Sequence, residues 1–411
     1  MPRFGFLVGE GTMKPLAHWL HFKFVEPFQP DKSHLDVLTG IRGWAALWVF
    51  LYHVWSLSGH PDFTIVLAGV PLDFTPLVSI GFAGVTIFFV LSGFLLAIPF
   101  AEWQSGLRQR PTLDRYFLRR VMRVFPAYYA QLVILLLIAA WVPGQAGIDD
   151  WGSLFRHLLM LFTPPPLGTL PVNGVWWTLP IEFSFYLVLP LLALLLRPSR
   201  WWMLLAGSLV TMYLWRHSVV ARMPDASIPQ RVVATYQLPG SMDAFGLGML
   251  AAYLYVNRLR LPGWLLPRMN LGRLGLPGLA LVLAATFWLP GKRHEYWADN
   301  PIFYLWTPAL VLGVAAIILA GVGGGRMINR LFTNRFMVYA GLVSYSYYIW
   351  HFPVLNWIVA TEWFRTVDSM RFLSLLLVSA PLIFVISTLS YVLVEVPGMR
   401  FRRGRNNVRP R

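Results

Sequence analysis

The amino-acid sequence predicts an all-α, polytopic membrane protein of about ten transmembrane helices with both termini cytosolic. Three observations predict it. Of the 411 residues, 57% are hydrophobic and only 13% charged, whereas a soluble domain sits nearer half apolar and a quarter charged. Apolar runs of about 20 residues, long enough to cross a bilayer, recur along the chain. Lys and Arg segregate to one side of those runs.

The runs fall near 39–58, 78–100, 117–142, 177–197, 201–219, 239–257, 274–290, 303–322, 337–360 and 372–394. The seventh is short and bounded by prolines. With the N-terminus placed inside, 26 of the 34 Lys and Arg fall in inner segments and 8 in outer loops. Basic residues hold loops on the cytosolic side, so this split predicts both termini inside and an even number of spans. The expected organisation is an N-terminal cytosolic or interfacial segment (1–34), a transmembrane domain (35–397) and a basic tail (398–411). Residues 1–35 do not read as a cleavable signal, being mixed in character and broken by Pro15, Pro27 and Pro30. The extramembrane loops are short, so chemistry is expected among the helices or at their ends.

The formal charge is +16. On a soluble protein that balance would suggest nucleic acid, but here it marks inner loops that meet anionic membrane lipid, and no nucleic-acid partner is expected. The absence of Cys excludes disulfides, thiolate metal sites and a cysteine nucleophile. No metal is expected. The 19 Trp, 16 Tyr and 29 Phe suit interfacial aromatic belts.

The first run carries Arg42 and, eleven residues on, His53. At about 1100° of rotation, three turns plus roughly 20°, both occupy one helix face, about 16 Å apart along the axis. Arg42 falls at the cytosolic boundary and His53 beyond mid-membrane. An ionisable side chain at that depth is costly and points to function; the plainer alternative is a neutral histidine hydrogen-bonded between helices.

The fourth run opens Asn173-Gly-Val-Trp176-Trp177-Thr178-Leu-Pro-Ile-Glu182, with Thr178, Glu182 and Tyr186 on one face. Entering from outside, it would carry Glu182 to the depth of His53. A carboxylate there must pair or take up a proton, either in a structural ion pair or as the orienting partner of a catalytic histidine. The ninth run contains Ser344-Tyr-Ser-Tyr347-Tyr348-Ile-Trp-His351, and Ser344, Tyr347 and His351 share a face. Such a stripe serves helix–helix adhesion or an acceptor site.

Toward the cytosol, Arg115, Arg119 and Arg123 share a face, with Arg120 adjacent. Like charges in a row repel unless an anion is near. They are either the positive-inside signal itself or a phosphate clamp. Coenzyme A offers the matching phosphates, and its thin pantetheine arm could run from such a clamp into the membrane. Gly81, Gly84 and Gly93 in the second run suit close helix packing. Asp243 reads as a lone buried acid, and Glu395 as a partner for the basic loops.

These motifs resemble the integral-membrane acyltransferase family 3 over roughly 34–403. The landmarks, in family order, are Arg42 to His53, Phe88-Phe89-Val-Leu-Ser92-Gly93, Arg119-Arg120-Val-Met-Arg123-Val-Phe-Pro126, Trp177-Thr178-Leu-Pro-Ile-Glu182, Ser344 to His351, and Tyr391-Val-Leu-Val-Glu395-Val-Pro397. The resemblance implies a ten-helix fold in the bacterial inner (plasma) membrane. It implies acetyl-CoA or another acyl-CoA as donor, and an active site containing Arg42 and His53. Family acceptors are hydroxyl-bearing glycans, lipid-linked sugars or small molecules such as macrolides. Thr39 stands where the family often has Asp. No counterpart is seen of the extracytoplasmic hydrolase-like domain that many relatives carry.

The expected chemistry is O-acyl transfer. Arg42, Arg119, Arg120 and Arg123 hold the coenzyme A phosphates. His53 acts as base, oriented by Glu182, and Trp177, Thr178, Tyr347 and His351 meet the acceptor. The rival expectation is a proton-coupled transporter using the intramembrane His and Glu as a relay, which would call for inverted repeats and broken helices near the midplane. A non-catalytic membrane scaffold is a further rival.

Overall fold

The computed structural model describes residues 36–142, 144, 147–161, 171–260, 271–292, 296, 300–367 and 370–399. The expected interfacial segment 1–34 and nearly all of the basic tail lie outside these residues. Each of the ten expected spans is helical. Among the described residues, seven helical stretches are long and apolar enough to cross a membrane: Asp36–Leu57, Thr75–Gln104, Leu113–Trp141, Gly174–Leu195, Leu271–Lys292, Pro301–Val322 and Arg371–Met399. The remaining three expected spans fall short. Trp201–Arg222 is long but carries Arg216, His217 and Arg222; Met242–Asn257 has only 16 residues; the ninth run breaks at Val343 into helices of 8 and 17 residues.

The site is built from α1 (Asp36–Leu57), α2 (Gly84–Gln104), α3 (Leu113–Trp141), α4 (Thr178–Leu192), α5 (Trp201–Arg222), α6 (Met242–Asn257), α7 (Gly275–Trp288), α8 (Pro301–Val322), α9 (Arg335–Leu342), α10 (Ser344–Ala360) and α11 (Arg371–Ser390). One departure from the all-α expectation is an exposed antiparallel hairpin between α1 and α2, Thr64–Leu67 with Val70–Asp73. Its two turn residues, Ala68 and Gly69, both have positive φ (49° and 78°), as a primed two-residue turn requires.

In a bilayer the lipid tails are as apolar as Leu, so helices associate through close packing rather than hydrophobic burial. α2 runs along α6 in this way. A Cβ at Gly93 would collide with the Phe245 carbonyl, and one at Gly248 with the Val90 carbonyl. The glycines therefore let the two backbones touch, as their sequence suggested. Phe89, Phe245 and Phe185 stack beside this contact, with ring centres 4.6 and 4.0 Å apart.

Asp243 is not a lone acid. The Arg216 guanidinium lies 3.6 Å from its carboxylate, and both side chains are fully buried. Arg216 also donates to the carbonyls of Gly240 and Phe303 and to Thr307 Oγ1. Arg216 thus lies in the interior of the helix bundle. A buried guanidinium is tolerated only with such an array of acceptors around it.

Candidate active site

A cavity opens among α1, α2, α3, α4 and α10. Its polar lining is Arg42, Ser92, Arg120, Arg123, Thr178, Glu182, Tyr186, Ser344, Tyr345 and Tyr348; the rest is Val, Leu and Phe. Arg123 lies 3.8 Å from Glu395, a carboxylate buried to 1% exposure. Ser346 anchors the same carboxylate through its hydroxyl (2.6 Å) and its backbone N–H (3.2 Å). Glu395 therefore pairs with a basic residue, as its sequence position suggested. It ends a π-helical turn, Tyr391–Glu395, a geometry that recurs at functional sites. Arg120 lies over the Tyr186 ring at 5.8 Å, and its buried Nε has no hydrogen-bond partner among the described residues.

The arginine set differs from the expected one. Arg42, Arg120 and Arg123 line the cavity and Arg119 does not. The Arg119 Nε–H instead donates to the Arg115 carbonyl, 3.0 Å away along its own helix. The stripe Arg115-Arg119-Arg123 shares a face in projection. The cavity, however, takes Arg120 and Arg123, three residues apart, and the adjacent residue is turned about 100° away.

Tyr348 is one of the lining residues. The Tyr348 hydroxyl sits 3.0 Å from Thr178 Oγ1 and donates to the Val175 carbonyl at 3.1 Å. Phe88 packs on its ring at 6.0 Å. One turn along α10 lies the fully buried His351, its ring centre 5.7 Å from that of Tyr348. His351 Nδ1 lies 2.6 Å from the Tyr348 carbonyl. A carbonyl only accepts, so Nδ1 carries the proton and Nε2 presents a lone pair. Nε2 has no partner among the described residues. The His53 ring lies 5.1 Å from that of His351 and 4.9 Å from Phe352. Arg42 and His53 thus sit on one helix, but only Arg42 lines the cavity. Tyr348 lines it as well and packs on its other side toward His351.

Glu182 is not beside His53. It accepts a 2.6 Å hydrogen bond from the Ser92 hydroxyl and lies among the arginines. The contacts of Asn173 with Ile349, of Val175 and Thr178 with Tyr348, and of Glu182 and Ser344 with one cavity show α4 and α10 running in opposite directions. Glu182 is then level with Ser344, about 10 Å along the axis from His351. Its depth was misjudged because the fourth run starts inside the protein. Asn173 and Trp176 are already buried, and the 3-10 turn Gly174–Trp177 precedes the helix.

Two expected acceptor residues also lie elsewhere. Tyr347 packs in a separate apolar cluster, against Phe50 and Phe384 with ring centres 5.6 and 4.8 Å away, and Tyr348 faces the site in its place. Trp177 turns toward Tyr236, 5.9 Å away. Thr178 remains at the cavity. The residues missed from sequence are Ser92, Tyr348, Gln131 and Asn173. Gln131 carried a usable signal, as an amide at the head of the otherwise apolar stretch 131–139.

Part-buried arginines line a cavity, and two histidines lie side by side near the tyrosine at its edge, within a bundle of helices long and apolar enough to cross a membrane. A family model described as an acyltransferase domain, that of acyltransferase family 3, matches residues 35–395, and the chain belongs to this family. It is similar to the acyltransferase MdmB of Streptomyces mycarofaciens, 27% identical over 80% of this chain and 81% of that one. Nodulation protein 10 of Rhizobium leguminosarum bv. viciae is 26% identical over 90% of this chain and 95% of its own. The peptidoglycan O-acetyltransferase OatA of Listeria monocytogenes is 24% identical over 89% of this chain but only 56% of its own length. No solved structure matches the chain.

Proposed function

We propose that this acyltransferase moves an acyl group, acetyl being the simplest, from a cytosolic acyl-CoA to a hydroxyl of a glycan or other small acceptor on the opposite side of the membrane. The phosphates of coenzyme A lie against Arg42, Arg120 and Arg123. Guanidinium groups suit them because they bind phosphate oxygens in pairs, and the unpartnered Nε of Arg120 is a donor left open for such a ligand. The pantetheine arm follows the apolar wall of Leu91, Leu95 and Phe88. Displacement of Tyr348 from Thr178 admits the thioester to the histidine pair.

His53 takes the proton of the acceptor hydroxyl. The oxygen attacks the thioester carbonyl, the C–S bond breaks, and the proton passes to the departing thiolate. His351 Nε2 accepts a hydrogen bond from the acceptor and holds it against His53. Glu182 and Glu395 balance the arginine charge and keep the clamp in register. They are not the orienting partners of His53.

The observation that carries this reading is the His351 ring beside that of His53, its Nε2 without a partner among the described residues, near a cavity lined by three arginines. Purified protein incubated with acyl-labelled coenzyme A and a sugar acceptor tests it. Label on the acceptor, dependent on His53, is expected. Passage of the intact donor or acceptor across vesicles without a new ester would favour a transporter instead.

A further inference from the structure

α10 contains Pro353, four residues after Ile349. Proline has no N–H, so the Ile349 carbonyl loses its helical partner. It is nevertheless doubly bonded. Gln131 Nε2 donates to it from α3 at 2.8 Å, and Asn173 Nδ2 donates from the turn before α4 at 2.7 Å.

The orientation of both amides follows from their other contacts. The Trp176 indole N–H can only donate, and it lies 2.9 Å from one end of Gln131, which must be the oxygen. The Val175 N–H likewise points at the Asn173 oxygen at 3.3 Å. The nitrogens of both amides therefore face the carbonyl. Asn173 Nδ2 also lies 3.3 Å from Gln131 Oε1. Gln131 and Trp176 are fully buried, and Asn173 is 1% exposed.

The carbonyl one residue earlier, that of Tyr348, is the acceptor for His351 Nδ1–H. Consecutive carbonyls thus have distinct duties: Tyr348 holds the imidazole, and Ile349 is held by the two amides. We propose that Gln131 and Asn173 are positioning residues that hold the backbone of α10 at the freed Ile349 carbonyl and so set how His351 lies against His53. The inference rests on the role given to His351 above. Through the same pair, α3 with Arg120 and Arg123, α4 with Thr178 and Glu182, and α10 share one buried junction.

A double-mutant cycle between Gln131 and Pro353, made in the full-length protein, tests this. Gln131→Leu is expected to lower kcat roughly tenfold while leaving KM for acyl-CoA within about twofold, because substrate binding residues are untouched. Pro353→Ala supplies the missing N–H, so the Ile349 carbonyl closes its own helical bond and no longer needs the amides. In that background Gln131→Leu should change kcat by less than about twofold. Asn173→Ala, which leaves the Gln131 bond in place, should show the same dependence on Pro353.

An equal, independent loss in both backgrounds overturns the proposal, as does a fall in thermal midpoint with kcat unchanged. If Pro353→Ala has no turnover, the cycle is run between Gln131→Leu and Asn173→Ala, whose losses in kcat should be non-additive because both amides serve one carbonyl; additive losses refute the proposal. His351→Gln separates the two levels. Turnover in that variant removes the histidine from the reaction. An inactive His351→Gln combined with additive Gln131 effects removes only the positioning.

Discussion

The imidazoles of His53 on α1 and His351 on α10 lie with ring centres 5.1 Å apart and planes inclined at 43°. Neither histidine is held by a carboxylate among the described residues. His351 is fixed through Nδ1 to a backbone carbonyl, and the His53 ring is flanked by Tyr52 and Phe352. The chemistry proposed for the protein depends on this pair.

His53→Ala and His351→Ala should each lower acyl transfer by about 10²- to 10⁴-fold, the range for loss of a positioned acid–base group. The folded yield from membranes should be preserved. Glu182→Gln should act differently, raising KM for the donor more than it lowers kcat. A rate-limiting defect in Glu182→Gln with unchanged KM would return the carboxylate to the histidines.

The three arginines facing the cavity should be separable from their neighbours. Arg120→Ala and Arg123→Ala are expected to raise KM for acyl-CoA about tenfold, the scale of one lost charge-assisted contact. Arg119→Ala should stay within about twofold of the parent. Titration of binding with coenzyme A and with its dephosphorylated analogue would check both. Equal effects at Arg119 and Arg120 would contradict the geometry.

Tyr348→Phe removes the hydroxyl that bonds Thr178 and Val175. The packing of Tyr348 between the cavity and His351 should loosen. Thioester hydrolysis without an acceptor is then expected to rise several-fold, measured as free coenzyme A released, while Tyr347→Phe leaves it unchanged.

Asp243→Leu strands the fully buried guanidinium of Arg216 without a countercharge. Breaking such a pair costs about 3–5 kcal/mol. The thermal midpoint in detergent should fall accordingly. Arg216→Met combined with Asp243→Leu should recover part of the loss, since no charge is then left buried.

Much of the site was legible residue by residue. Arg42, His53, Thr178 and His351 all stand at or beside the cavity, and each was conspicuous as a polar group in an apolar run. Periodicity failed where two neighbours fit equally well. From His351, Tyr347 is offset by about 40° and Tyr348 by about 60°, and spacing alone cannot choose between them. Packing against Phe50 and Phe384 takes Tyr347, which leaves Tyr348 for the site. The same ambiguity placed Arg119 in the clamp.

The sequence by itself determined the membrane class, the helical segments, the family and which polar residues stand out in apolar runs, because bilayer crossing imposes length and apolarity on each segment separately. Only the tertiary structure decided which polar groups meet. Glu182 joined the arginines and not His53, Asp243 found Arg216, and the carbonyl freed by Pro353 drew Gln131 and Asn173 together. Those pairings depend on where a segment enters the bundle and how far antiparallel helices slide past one another. Side-chain packing between segments sets both, and no single helix encodes them.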